Sequence, residues 1–261
     1  MSIARVCGVA LDVLFGARGS CPACGRPGSA RALCGECMAL IPMVCPPACS
    51  LCGTPLRAGA AGDEVGCEVC TGCRGTRHYF ERARAPAVYE GAAREHVHDL
   101  KYRARVEIAP ALSMMMARCA IRAGMADPCH CAVPVPLHPD KLDRRGFNQA
   151  ELLARSVASL IGIPLIPGAL SRHASTGTQT LLDRQQRRGN VLRAFVCDEP
   201  AGVAGRTVLL IDDVLTSGAT ADGCARALLR SGASRVHVLT FAVSVADERD
   251  WVAEPRGALH L

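Results

Sequence analysis

The sequence predicts an α/β domain built on a parallel sheet, preceded by a small metal-stapled module. Three observations carry this. After about Arg84, apolar runs of strand length alternate with segments of helical period, the pattern of a parallel sheet covered on both faces. Before that point the texture differs: eleven of the 16 cysteines fall before residue 74, several as CxxC pairs. The 261 residues are 49% hydrophobic, enough for one α/β domain plus a small module. With aromatics at only 3%, the core has to be aliphatic.

Residues 1–82 are expected to form the cysteine module and residues 83–261 the α/β domain. The opening "MSIARVCGVALDVLFGA" resembles a signal peptide, but Asp12 interrupts its apolar run and no A-x-A site follows. An amphipathic helix docking on the next domain fits better. No run reaches the ~18 apolar residues a membrane span needs, so a reducing cytoplasm is the expected setting. Cys21-x2-Cys24 and Cys34-x2-Cys37 give one set of four thiolates; Cys49-x2-Cys52 and Cys70-x2-Cys73 give a second. Two intervening residues let both thiolates of a pair reach one Zn2+ at ~2.3 Å. Metal would supply much of the module's folding energy, on the order of 10 kcal/mol, because the segment has almost no core. "CEVCTGC" also allows Cys67 to replace a ligand of the second set; Cys7 and Cys45 are spare, and "RAGAAGDEVG" reads as a flexible insert. Redox thiols or buried apolar cysteines are the alternative readings. A closed four-thiolate site holds shape and leaves no open position for chemistry.

The α/β elements follow in order. "APAVYE" reads as a strand and "GAAREHVHDLKYRAR" as a helix. "EIAPALSMMMARCAIRAG" is a second helix, started near Pro110 and closed by Gly124, its methionines in the core. "CAVPVPL" is a strand ending in a proline-rich turn, "NQAELLARSVASLIG" a helix closed by Gly162, and "IPLIPGAL" a short extended piece. "SRHASTGTQTLLDRQQRRGN" reads as a long mobile loop. "TVLLIDD", "ATADGCARALLRSG" and "SRVHVLTFAVSV" are a strand, a helix and a strand.

"VLLIDDVLTSGAT" (Val208–Thr220) is the most informative stretch. Ligands of a parallel sheet sit outside the carboxyl ends of its strands. Continuing the strand would send Asp212 and Asp213 to opposite faces, and burying either unpaired is costly. The expectation is therefore that the strand stops there and both carboxylates face a crevice, where they can accept from two neighbouring hydroxyls, as on a ribose. Gly218 permits a tight turn, the loop's hydroxyls donate, and a helix starting near Ala221 adds its positive dipole end. Together these make a phosphate cradle. The bland alternative is an ordinary strand–helix turn with solvated acids.

That stretch resembles the phosphoribosyl diphosphate (PRPP) signature of type I phosphoribosyltransferases. With the CxxC knuckles, "FERARAPAVYEG", "LKYRAR", "VPVPLHPDKLDRRGFNQAELLA" and "TGTQTLLDRQQRRGNVLRAF", the chain is similar to the competence protein ComF family over about residues 18–243. The resemblance implies a double zinc ribbon followed by a type I phosphoribosyltransferase fold. It implies that Asp212 and Asp213 hold the ribose hydroxyls, and that Thr216, Ser217, Gly218, Ala219 and Thr220 wrap the 5-phosphate. It places Pro136, Leu137 and His138 on the diphosphate, with Arg144, Arg145 and Asn148 following. Thr176, Gln179, Arg184 and Arg187 would close over it as a lid, with Arg184 and Arg187 joining the aspartates as the catalytic set. Mg2+ would ride on PRPP itself. The segment before the lid threonine departs from the family's arginine-rich pattern: it reads "RHAST", with His173 after Arg172.

Three functions stay open on these residues: phosphoribosyl transfer to an acceptor, handling of single-stranded DNA alongside competence-machinery proteins, and PRPP sensing without catalysis. The net charge of +6 is nearly all arginine, only Lys101 and Lys141 being lysine, which suits phosphate recognition where arginines cluster. Poor aromatic content disfavours a base-stacking platform. His96 and His98 read as surface helix positions, His237 as core packing or a strand end, and His138 adjoins the diphosphate loop.

Overall fold

The computed structural model describes residues 18–56, 69–173 and 194–245. In the N-terminal part, β1 (Arg18–Ser20) pairs antiparallel with β2 (Pro27–Ser29), and the short helix α1 (Gly35–Ala39) follows. The chain then enters the main sheet with β3 (Arg82–Arg84) and β4 (Ala87–Val88). Helices α2 (Gly91–Tyr102) and α3 (Ala109–Arg122) precede β5 (Cys131–Pro134). After them come α4 (Pro139–Arg145), α5 (Gln149–Ile161), β6 (Leu170–Arg172), β7 (Phe195–Cys197) and α6 (Pro200–Val203). The chain closes with β8 (Thr207–Leu215), α7 (Ala219–Arg230) and β9 (Arg235–Val243).

The main sheet runs β3-β9-β8-β5, with β4 also on β9, and every pairing within it is parallel. The expected alternation of strands and helices therefore yields the expected doubly covered sheet. Side chains on β8 alternate between two cores. Leu209 and Ile211 meet Val97 and Leu100 of α2, Leu112 and Met116 of α3, and Leu153 and Val157 of α5. Val208 and Leu210 face Cys224 and Leu228 of α7, with Phe80 and Phe195. Each large aliphatic side chain so buried contributes about 1.5–3 kcal/mol, which lets a core nearly free of aromatics hold the sheet.

Helix ends follow local chemistry. Asn148 caps α5, its side chain accepting from Ala150 N at 3.0 Å, and Gly162 ends the helix with φ 76°. Pro110 occupies the first turn of α3, where its missing N–H costs nothing. The methionines of that helix do enter the core, as Met115 and Met116 show.

The cysteine module lies against the sheet's β3 edge. Ala83 N donates to Leu51 O at 2.6 Å and Arg84 Nη1 to Ser50 O at 3.1 Å, so the turn between Cys49 and Cys52 covers an otherwise open strand edge. Gly53 permits this approach: a Cβ there would meet Ala83 O at 2.9 Å. Among the described residues, no helix is long and apolar enough to cross a membrane. The expected N-terminal helix, the insert at 57–66, Cys7 and Cys67 lie outside the described residues, as does most of the expected mobile loop.

Candidate functional site

The two cysteine sets assemble as the spacing predicts. Within Cys21, Cys24, Cys34 and Cys37, and within Cys49, Cys52, Cys70 and Cys73, the Sγ atoms all lie within 4.8 Å of one another. Cys24 and Cys34 Sγ are 3.7 Å apart and Cys52 and Cys70 Sγ 3.6 Å. A tetrahedron of thiolates around zinc at ~2.3 Å has edges of about 3.8 Å, so the donor sets fit the ion. Backbone N–H groups already point at the sulfurs: Cys34 N donates to Cys21 Sγ at 3.3 Å and Cys70 N to Cys49 Sγ at 3.4 Å. Burial raises the Cys21 thiol, but backbone donors from Cys34, Cys24 and Ala23 outweigh it and bring it to about 6. Side-chain hydrogen bonds from Cys52 and Cys70 lower Cys49, and the same bond to Cys49 raises Cys52 to about 11. Cys45 stands apart, its Sγ donating to Met43 O at 3.7 Å.

The aspartate pair differs from expectation. β8 does not stop at Asp212; it continues through Leu215, with Val214 and Leu215 paired to Ala242 and Val243 of β9. The two carboxylates stay within reach of each other and of one cation: besides burial, the Asp213 charge and side chain both raise Asp212, and both acids act on Lys101 against its burial. Asp213 follows Leu209 and Ile211 toward α2, where its Oδ2 lies 2.6 Å from Lys101 Nζ. Asp212 lies on the α7 side, and its Oδ1 accepts from Asp213 N at 2.8 Å. A half-buried cation, Lys101, offsets the cost of the continued strand, and nothing in the residues beside the pair pointed to it. Burial pushes the Lys101 ammonium down, but Asp213 and then Asp212 outweigh it and the net movement is upward. Burial, reinforced by the Asp213 charge, raises the Asp212 carboxyl well above the usual carboxylate range. The available signal was composition: Lys101 is one of only two lysines in a chain otherwise served by arginine.

Beyond Leu215 the chain turns at once. Thr216 and Ser217 are exposed, and Gly218 takes φ 75° as the residue before α7. The helix covers the expected "ATADGCARALLRSG" segment and starts at Ala219, so Ala219 and Thr220 form its first turn. Ser217 Oγ accepts from Ala219 N at 3.5 Å. The loop and the positive end of a helix of 12 residues thus sit directly past the aspartates.

Pro136, Leu137 and His138 follow β5, and Val135 N donates to Ile211 O at 2.9 Å, extending the ladder alongside β8. His138 caps α4, accepting from Asp140 N at 3.3 Å. Asn148 holds the same loop, its Nδ2 donating to Val135 O at 3.0 Å. Arg145 bonds Gln149 Oε1 and lies 5.5 Å over the Tyr102 ring. Thr176, Gln179, Arg184 and Arg187 lie outside the described residues; the strands flanking them, β6 and β7, pair as an antiparallel ribbon.

Other polar groups took unexpected places. His96 is buried at 9% exposure, not a surface position, because its face of α2 packs inward; burial lowers its imidazole. His98 is exposed as expected and His237 is buried as expected. Asp99 is buried between Arg103 and Arg105, each at 2.9 Å, and Arg105 Nη2 also donates to Pro22 O at 2.7 Å. That arginine ties the first metal knuckle to α2.

Comparisons with known proteins agree with this geometry. A family model described as "Double zinc ribbon domain" matches residues 10–77, and one described as "Phosphoribosyl transferase domain" matches residues 142–257. The "DNA utilization protein YhgH" of Escherichia coli (strain K12) is 36% identical over 146 residues, covering 54% of this chain and 63% of that protein. "Competence protein F" of Haemophilus influenzae is 34% identical over 107 residues, 41% of this chain and 47% of that protein. "Competence protein ComFC" of Bacillus subtilis is 27% identical over 213 residues, 81% of this chain and 72% of that protein. The match thus spans 63% of the YhgH proteins' length. Among solved structures, a glutamine PRPP amidotransferase from B. subtilis is similar at 24% identity and TM-score 0.34, covering 49% of this chain and 24% of that one. TT1426 from Thermus thermophilus is similar at 15% identity and TM-score 0.31, covering 49% of this chain and 70% of that one. The chain thus matches a double zinc ribbon followed by a phosphoribosyl transferase domain, and it is similar to proteins named for DNA utilization and for competence.

Proposed function

We propose that the chain binds PRPP with Mg2+ at the carboxyl ends of β5 and β8 and transfers its phosphoribosyl group. One observation carries this reading: the Asp212–Asp213 pair leads within one strand end into an exposed hydroxyl loop and the start of a long helix. Carboxylates only accept, and each has lone pairs beyond those already engaged, so ribose hydroxyls have partners at the pair. The loop of Thr216–Thr220 presents hydroxyls and backbone N–H groups to a 5-phosphate. Pro136, Leu137 and His138 lie where the diphosphate would leave, and Arg145 adds positive charge nearby. In transfer, the bond from ribose C1 to the diphosphate oxygen breaks, the diphosphate keeps the electron pair, and the acceptor bonds to C1. Mg2+ bound to PRPP would neutralise charge on the diphosphate as it leaves. Lys101 keeps the buried acid pair tolerable before any ligand arrives. Arg184, Arg187 and Gln179 complete the proposed site as a lid over the diphosphate. Residues 1–82 and 83–261 are proposed as its two domains, both zinc ions being structural.

The test is thermal. PRPP with Mg2+ should raise the melting temperature, and the D212A/D213A variant should abolish the shift; an equal shift in both proteins sinks the assignment. Release of diphosphate from labelled PRPP in the presence of nucleobases or nucleic acid separates transfer from PRPP sensing.

A second reading, direct handling of single-stranded DNA with competence-machinery partners, draws on the names of the relatives. It also draws on exposed Tyr102, which carries His98 at 4.6 Å and Arg145 at 5.5 Å. Binding that weakens steeply with salt would support it, and a flat salt response would count against it.

A further inference from the structure

The residues that follow the second metal set reach into the phosphate loop. His78 lies five residues after Cys73, and its ring is only 6% exposed. Its Nδ1 is 2.9 Å from Asp222 Oδ2, on a carboxylate itself 3% exposed. A carboxylate can only accept, so Nδ1 carries the proton. The adjoining backbone repeats the grip: Tyr79 N donates to Asp222 Oδ1 at 2.8 Å. Asp222 stands in the first turns of α7, and its own N–H bonds Gly218 O at 2.8 Å. The ring stacks on Phe80 at 4.6 Å and 23°. A Cβ placed on Gly218 would meet His78 Cε1 at 3.6 Å and Phe80 Cε1 at 3.8 Å, so these two rings form the wall behind the loop.

A phenylalanine at 78 would fill that wall equally well. The histidine carries a penalty that phenylalanine would not, because its Nε2 is buried with no partner among the described residues. What the imidazole adds is the bond to Asp222. That bond joins two parts of the chain far apart in sequence: the end of the metal-bound segment and the helix turn that carries the phosphate loop.

We propose that His78 is a positioning residue for the phosphate loop. Through Asp222 it fixes Gly218–Asp222 against the segment anchored by Cys70 and Cys73, so the phosphate half of the pocket is set by the zinc ribbon. The inference rests on the phosphate-loop reading above and adds to it the group that holds the loop in shape. The diphosphate side, built from β5 and Asn148, does not depend on this contact.

The experiment is calorimetric titration of the full-length, zinc-loaded chain with ribose 5-phosphate and, separately, with inorganic diphosphate and Mg2+. H78F keeps the stacked ring and loses the bond; H78N keeps a donor at the Nδ1 position and loses the ring; D222N removes the acceptor charge. Loss of one such buried charged bond predicts about tenfold weaker ribose 5-phosphate binding in H78F and D222N. Diphosphate affinity should stay within about twofold, H78N should recover most of the loss, and metal analysis should still find both zinc ions. Ribose 5-phosphate affinity in H78F and D222N equal to the parent overturns the inference. So does an equal loss for both ligands, which would mark general damage. D222N and H78N, read against each other, keep the test decisive if H78F does not fold. A parent chain that binds neither ligand fails differently: it removes the phosphate-loop reading itself.

Discussion

Lys101 Nζ lies 2.6 Å from Asp213 Oδ2, on side chains 20% and 5% exposed. This pair explains how β8 can run through two adjacent aspartates. Breaking a buried pair from one side leaves the other charge without a partner, which costs about 3–5 kcal/mol. K101M should therefore destabilise the chain by about 3 kcal/mol in urea unfolding, and D213N in the same background should recover part of that loss. A K101M protein as stable as the parent would show that the pair carries no energetic weight.

Asp212 gives a pH dependence of defined sign. Burial first, then the Asp213 charge, hold its carboxyl well above the ordinary range. Its charge then costs stability at every pH above the unfolded value of about 3.9, and the cost disappears as pH falls from its folded value through that point. D212N should melt higher than the parent near pH 7, and the difference should close toward pH 4. A difference that grows on acidification contradicts the assignment.

The cysteine sets predict metal content. The parent should hold two zinc ions per chain, and C37S or C73S should each lose one, since both residues complete closed sets. C67S should retain two, because Cys70 and Cys73 already complete the second set. Elemental analysis of purified protein reads this directly; a C67S protein with one ion would place Cys67 among the ligands.

Arg105 should act as a strap. It spans Asp99 and the carbonyl of Pro22, between Cys21 and Cys24. R105A should cost about 1–3 kcal/mol and speed amide exchange at Cys21–Cys24. R105K should recover little, because a point charge cannot serve the carboxylate and the carbonyl together as a planar fork does. Unchanged exchange in R105A would leave the strap without function.

How much of this was legible in the chain depends on the range of the interaction. CxxC spacing is local, so both metal sets and their partition could be read directly. Alternation of apolar runs gave the parallel sheet, because strand and helix periods are written in adjacent residues. Asn148 and Gly162 marked α5 for the same reason. Prediction failed where a local rule met a distant partner. Two consecutive carboxylates argued that β8 should end, and nothing beside them pointed to Lys101. His96 looked like a surface position because which face of α2 turns inward depends on the sheet it packs against.

The sequence by itself determined the two thiolate sets, the strand–acid–loop–helix order and the parallel sheet, all consequences of spacing and periodicity. Only the tertiary structure decided that β8 runs on through both aspartates, with Lys101 paired to Asp213. It alone brought Arg105 to the first metal knuckle and His78 to Asp222. Charges and hydrogen bonds act through space, and the fold, not the order of residues, sets which groups come within about 3 Å of one another.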